Sequence, residues 1–336
     1  MITILVASFM WVLVLVLALR ARTRPDNTMF RAAIVIAFSL TTNVSEIYLW
    51  VSAWLPWPNA LDLVANVLLI VGVYYLSRAI ASGATRARAG ASGRVRNRWV
   101  RRAAVLTVTI MVASFALIDN PEPSTAFMLT YGEQVAAGIY SAVQYLYILA
   151  VMAGTLVTCI RNVPRMRQGR FRVGFTIIGV GCGFAVLLCM SVLTMDAANI
   201  LREESLLQVV GTIYDYLFLI TILLLCTGLG CPPLGRVLNS LSFRRRVSSA
   251  TPKVRSIWVA TVAKNPSLSV VGSAASMVAM DVRSPSKVSA DELHRMVIEI
   301  HDWANLHSHG SEALSEAEWA TVREAEVLCL QQGRTV

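Results

Sequence analysis

The chain reads as an all-α integral membrane protein: a seven-transmembrane-helix bundle followed by a small, mainly helical C-terminal domain. Three observations predict this. Hydrophobic residues fill 56% of the 336 positions and charged residues only 15%, against about 25% charged in soluble domains. The apolar residues gather into seven runs, near 2–19, 32–54, 61–79, 103–119, 135–160, 173–194 and 207–229, and about 20 apolar residues in a helix cross the hydrocarbon core. Segments rich in base alternate with segments poor in base between the runs. Backbone polar groups find no partner in lipid, so each run is expected to be helical.

The first run has the length of a span rather than of a signal peptide's apolar stretch. It has no basic residues before it, and Arg20, Arg22 and Arg24 follow it. It is expected to be a retained span with its N-terminus outside. Segments 20–31, 80–102 and 161–172 then carry Arg31, Arg86, Arg88, Arg94, Arg96, Arg98, Arg101, Arg102, Arg161, Arg165, Arg167, Arg170 and Arg172 besides the first three. Segments 55–60 and 120–134 carry no base, and 195–206 carries only Arg202 among Asp196, Glu203 and Glu204. Basic loops stay in the cytosol, which predicts an N-out, C-in protein of the plasma membrane. Trp54 and Trp57 fit an outer aromatic belt. The net charge of +10 is thereby assigned to orientation, and no nucleic-acid partner is expected.

Gly230, Cys231, Pro232 and Pro233 read as a helix stop, which divides the chain into a transmembrane domain 1–230, a basic juxtamembrane linker 231–264 and a tail domain 265–336. The linker holds Arg236, Arg244, Arg245, Arg246, Lys253, Arg255 and Lys264 and no acid. Such a segment is drawn to anionic lipid by about 1 kcal/mol per base, and it also serves as a last topology signal. In the tail, Ser289 and Glu292 form a capping-box pattern. After it Leu293, Met296, Val297, Ile300 and Ala304 share one helix face. A second helix is expected from Ser311 or Ser315 to about Gln331, and the stretch Ser267–Met280 suits a short strand or a loop. A domain of about 70 residues is marginal alone, so it is expected to pack on the inner loops or on a second copy.

The run Ile257–Trp258 to Pro266–Ser267–Leu268, followed by Leu293 to Ile300, resembles the cytosolic tail of an actinobacterial membrane-protein family. Members have about seven spans and a C-terminal domain of unknown function, and are labelled as transporters. The resemblance implies the same architecture and extends the transporter label to this chain. Where that family carries an Arg-Asp pair this chain has His301–Asp302, and Trp303–Gly310 departs as well.

Ionisable residues inside a membrane are candidates for function. Glu46 and Asp215 each lie about eight residues, or roughly 12 Å, from the outer end of their runs, with no base at that depth to neutralise them. Asn43 lies one turn from Glu46, and Asp62 and Asn66 are spaced i,i+4. Tyr140, Gln144 and Tyr147 form one stripe, and Gln208, Thr212 and Asp215 another. These patches predict an outward-facing polar cavity for a cation, a proton or a small ligand, built on Glu46, Asp215, Asn43, Asn66 and Gln144. The competing explanation is that the amides only hydrogen-bond helices together, at about 0.6 kcal/mol per pair.

No metalloprotease, serine-hydrolase or phosphate-loop motif is present, so no enzyme, metal or cofactor is expected. Tyr214–Asp215 matches half of the paired-aspartate pattern of intramembrane proteases, but no second aspartate motif lies on another helix. His294, His301, His307 and His309 all lie in the tail. His307 and His309 make a weak metal pattern in a Ser/Gly-rich turn. Cys159, Cys182, Cys189, Cys226, Cys231 and Cys329 form no disulfide framework. Cys226 and Cys231 suit either S-acylation or burial as small hydrophobes. Gly179 and Gly183 permit close helix approach. Three functions remain: a sensor coupling the polar site to the tail and its cytosolic partner, a transporter or ion-coupled permease, and a membrane-anchored scaffold.

Overall fold

The structure, a computed structural model of the chain, describes residues 2–21, 27–55, 57–85, 92–166, 169–262, 290–306 and 314–332. It is all-helical, with no strand among the described residues. The chain divides into two compact units, Met1–Gly235 and Arg236–Val336.

All seven apolar runs fall on helices. In the first unit these are α1 (Ile2–Ala21), α2 (Thr28–Thr42), α3 (Ser45–Ser52), α4 (Ala60–Thr85), α5 (Ser92–Phe115), the short α6 (Phe127–Tyr131), α7 (Val135–Asn162) and α8 (Arg170–Leu201), joined by α9 (Glu204–Val262), which supplies helix to both units. Among the described residues four stretches are long and apolar enough to cross a membrane: Ala60–Gly83, Val135–Arg165, Phe171–Leu201 and Ser205–Cys231. The α2–α3 pair makes a fifth if it is counted as one span. The described apolar stretch Thr3–Ala18 is shorter, and the basic first half of α5 leaves only its C-terminal half apolar. Large apolar side chains face outward along these helices, among them Val12, Leu15, Val105, Leu106, Ile139, Leu146, Ile160, Val180 and Leu187. A water-soluble fold does not leave so much apolar surface uncovered, whereas lipid accepts it.

The expected single run 32–54 is broken, with α2 and α3 meeting at 79°. Side chains at the end of α2 hydrogen-bond to backbone carbonyls: Thr41 Oγ1 donates to Ala37 O and Thr42 Oγ1 to Ser39 O. Such bonds compete with the helix ladder. Val44 then turns extended, at φ −76° and ψ 123°. A count of apolar residues does not detect this break.

Helix packing depends on small residues at close approaches. At Gly72 an added Cβ would run into Ile36 Cγ1 of α2, and at Gly228 it would stand 2.9 Å from the Ile178 backbone nitrogen of α8. The Gly179–Gly183 pair is used only in part. A Cβ added at Gly179 would stand 3.1 Å from Cys159 Cβ of α7, while one at Gly183 would meet nothing within 4 Å. Cys226 is buried against Met10 of α1, with sulfur atoms 3.2 Å apart.

The base-poor loops sit together. Asn59, in the left-handed region at φ 57°, donates from Nδ2 to Glu122 O and accepts from Ser124 N, both at 2.8 Å. Arg202 Nη2 lies 3.3 Å from Glu133 Oε2. Segments 55–60, 120–134 and 195–206 are thereby linked at one end of the bundle.

The helix stop expected at Gly230–Pro233 is absent, because α9 continues through it to Val262. Proline's fixed φ is itself helical, and the cost of a proline inside a helix, one lost N–H and a clash with the carbonyl four residues back, does not end the helix here. The stretch Val247–Trp258 accordingly belongs to the core of the second unit. There Val247, Val254, Ile257 and Trp258 of α9 pack with Leu293, Met296, Val297 and Ile300 of α10 (Ala290–Leu306) and with Val322 and Ala325 of α11 (Glu316–Gln332). Ala304, expected on the same face, is half-buried, and Trp303 is buried. Ser315 and Glu318 make a capping box at the start of α11, with Ser315 Oγ donating to Glu318 Oε2 at 2.6 Å. Ser289, the stretch Ser267–Met280 and the pair His307/His309 lie outside the described residues.

Candidate functional site

The polar residues of α4 and α7 form one closed network. Asp62 stands in the first turn of α4, where the helix dipole favours negative charge, and Asn66 follows one turn later. Tyr140 and Gln144 occupy the facing turns of α7, each only 1% exposed. Asp62 Oδ2 accepts from Asn66 Nδ2 at 3.0 Å and from Tyr140 OH at 2.8 Å. Asn66 Nδ2 also donates to Tyr140 OH at 2.8 Å, and Gln144 Nε2 donates to Asn66 Oδ1 at 2.9 Å.

These bonds have a direction. Gln144 feeds Asn66, Asn66 feeds Tyr140 and Asp62, and Tyr140 feeds Asp62. Turning the Asn66 amide over would aim its oxygen at the carboxylate, so the network fixes the amide's orientation. Two donors, Asn66 Nδ2 and Tyr140 OH, meet on one carboxylate oxygen of Asp62, and hydrogen bonds to an ionised acceptor are the stronger kind. No ion pair to Asp62 is present among the described residues. Arg78, on the same helix, is 16 residues away, or roughly 24 Å.

The expected site residues separate. Asn66 and Gln144 join the network, with Asp62 as its acid. Asn43 caps the broken end of α2 and is exposed, and Glu46 is exposed in the first turn of α3. Asp215 is exposed on α9. Nothing in the structure brings Glu46 or Asp215 to Asn66 and Gln144.

An acid less exposed than Asp62 was hidden in the sequence. Asp196 reads as a loop residue beside Glu203 and Glu204, but α8 extends through it to Leu201 and leaves it 6% exposed. It lies beside Ser141 of α7. Asp196 Oδ2 and Ser141 Oγ have no hydrogen-bond partner among the described residues. The signal available was Ala197–Ala198, which continues the apolar run past the acid. Asp62 and Asp196 thus reach α7 at Tyr140 and at the neighbouring Ser141.

Other candidates carry less chemistry. A cleft of about 490 Å³ between α7 and α8 is lined by apolar residues such as Leu156, Phe175 and Leu187, with Cys159 and Thr176. No group of three His, Cys, Asp or Glu residues able to hold a metal occurs among the described residues. In the tail unit, His301 Nε2 lies 3.7 Å from Glu326 Oε2, with both side chains well exposed. Compared with protein-family models, curated proteins and solved structures, the chain gives no match.

Proposed function

We propose that this chain is a seven-span protein of the plasma membrane, N-terminus outside and C-terminus cytosolic, that senses a proton, a cation or a small polar ligand through Asp62 and transmits the event to its tail domain. The observation that carries this reading is the converging network on Asp62, an acid with no paired base among the described residues. Hydrogen bonding between helices needs only amides and hydroxyls; a carboxyl group in that position adds a group that changes charge. Each donor comes from α4 or α7, so a change of charge at Asp62 alters what holds these two helices together. Helix α9 belongs to both units, which gives the transmembrane domain a continuous element shared with the tail.

The test is thermal stability of the purified protein in nanodiscs across pH and across a panel of cations and metabolites, for the parent and for Asp62→Asn. A ligand of the folded state raises the melting point by mass action. A shift that the parent gives and Asp62→Asn lacks, accompanied by changed hydrogen exchange in α10 and α11, supports the sensor. Identical responses in both proteins would make the network structural and rule out this site.

One observation favours transport as a second reading. Discontinuous helices frame substrate sites in many transporters, and α2 and α3 meet at a 79° break. A transporter gives Asp62-dependent flux in liposomes and retains it when the tail is removed.

A further inference from the structure

One face of α9 presents hydrogen-bonding groups where a lone chain would meet lipid. Gln208, Thr212 and Asp215 are all exposed and repeat at one-turn spacing. Beside them Val209, Ile213, Tyr216 and Ile220 are exposed by 60%, 48%, 67% and 37%. The opposite face of the helix is occupied. A Cβ added at Gly228 would come within 3 Å of Ile178 of α8. Of the four long apolar stretches, Ser205–Cys231 is the least buried, at 22% of its most apolar window against 33–39% for the others. An acid and an amide facing lipid are strongly disfavoured, and intramembrane ionisable residues almost always face protein or water.

We propose that this face of α9 is covered by the same face of a second copy of the chain, in a parallel two-fold dimer. The chemistry of the ladder selects that partner. In a parallel two-fold pair each residue meets its own copy at the same depth. All three polar types are self-complementary there. A glutamine amide both donates and accepts, a threonine hydroxyl still accepts while it donates to its own helix, and two carboxyls pair through one shared proton. Thr212 Oγ1 indeed donates to Gln208 O at 3.1 Å. The valine, isoleucines and tyrosine flank the ladder on one side and supply apolar contact there. This contact is independent of the Asp62 site, which lies between α4 and α7.

The experiment uses the full chain in nanodiscs and in native membranes. Cysteines are placed singly at Ser205, Gln208 and Thr212, which share the ladder's face, and at Leu187 of α8 as an exposed control, with Cys231 and Cys329 changed to Ser. Disulfides need Cα atoms within about 7 Å. Oxidation is expected to link like positions on the α9 face and not at the control. The stoichiometry is then counted by single-molecule photobleaching. The combined Gln208→Leu, Thr212→Val and Asp215→Leu variant is expected to weaken the dimer roughly twentyfold, at about threefold per interhelical polar contact. Asp215→Asn, which keeps both donor and acceptor, is expected to remain dimeric. Absence of cross-links on the α9 face, or equal cross-linking at Leu187, overturns the proposal. So does a parent that counts as one chain per particle, or a combined variant as dimeric as the parent.

Discussion

At the residue scale, the tail unit contains a buried contact between an indole and a carboxylate. Trp258 Nε1 donates to Glu299 Oε2 at 2.6 Å, and Arg295 Nε stands 3.7 Å from the other carboxylate oxygen. Glu299 is 3% exposed, so the indole N–H cannot be replaced easily by water. Trp258→Phe keeps the ring and removes that donor. It is expected to destabilise the chain by about 1–3 kcal/mol, measured by chemical unfolding followed by helical circular dichroism. Nearby, Ser315 hydrogen bonds hold the Glu318 carboxyl below its ordinary value. A lowered folded value means that the contribution is present above the unfolded pKa of about 4.3 and is lost as pH falls through the folded value. Ser315→Ala is therefore expected to lower stability by about 1 kcal/mol near neutral pH. The gap from the parent should narrow below about pH 4, as thermal unfolding from pH 3 to 7 will test. Ser315 was legible as one of two possible starts for α11, because capping depends on a few residues of local sequence. The Trp258–Glu299 pair joins positions 41 residues apart and has no local signature.

At the element scale, what was legible follows from what each helix must satisfy locally. Apolar length located all seven runs on helices, and i,i+4 spacing placed Asp62 with Asn66 and Tyr140 with Gln144. Which stripe meets which depends on helix rotation, and sequence does not report rotation. Asp215 was therefore read as facing a cavity, although its side of α9 faces outward. The proline pair at 232–233 was read as a stop because proline usually ends soluble helices. Packing at glycine likewise depends on a neighbour. Gly183, half of a familiar spacing motif, opens onto nothing, whereas Gly228 lies against the α8 backbone. Gly228→Leu is expected to force α8 and α9 apart, at about 1–3 kcal/mol of overpacking strain, while Gly183→Ala stays within a few degrees of the parent melting point. Equal effects of the two substitutions would mean that Gly228 is not a close contact.

For the whole molecule, loop charge and three-dimensional contact bear on the same question from independent directions. The charge pattern assigns segments 55–60, 120–134 and 195–206 to one side of a membrane because together they hold a single base, Arg202. The fold gathers those three segments at one end through Asn59, Glu122, Ser124, Glu133 and Arg202. The Arg202–Glu133 pair is exposed and adds little stability, so the clustering is a consequence of helix direction more than its cause. Consecutive spans that run in opposite directions bring alternate loops to the same end. The orientation of the bundle then depends only on which end carries the arginines. Thr125 lies in the base-poor cluster, Arg165 in the basic α7–α8 turn and Arg245 on the tail part of α9, and all three are exposed. A membrane-impermeant maleimide added to intact cells is expected to label Thr125→Cys, and to label Arg165→Cys and Arg245→Cys only after permeabilisation. Labelling of Arg165→Cys in intact cells would invert the bundle and place the Asp62 network toward the cytosol. Labelling of Thr125→Cys and Arg165→Cys together would mean that the bent α2–α3 pair or the short α1 fails to cross. The alternation of loops would then have another origin.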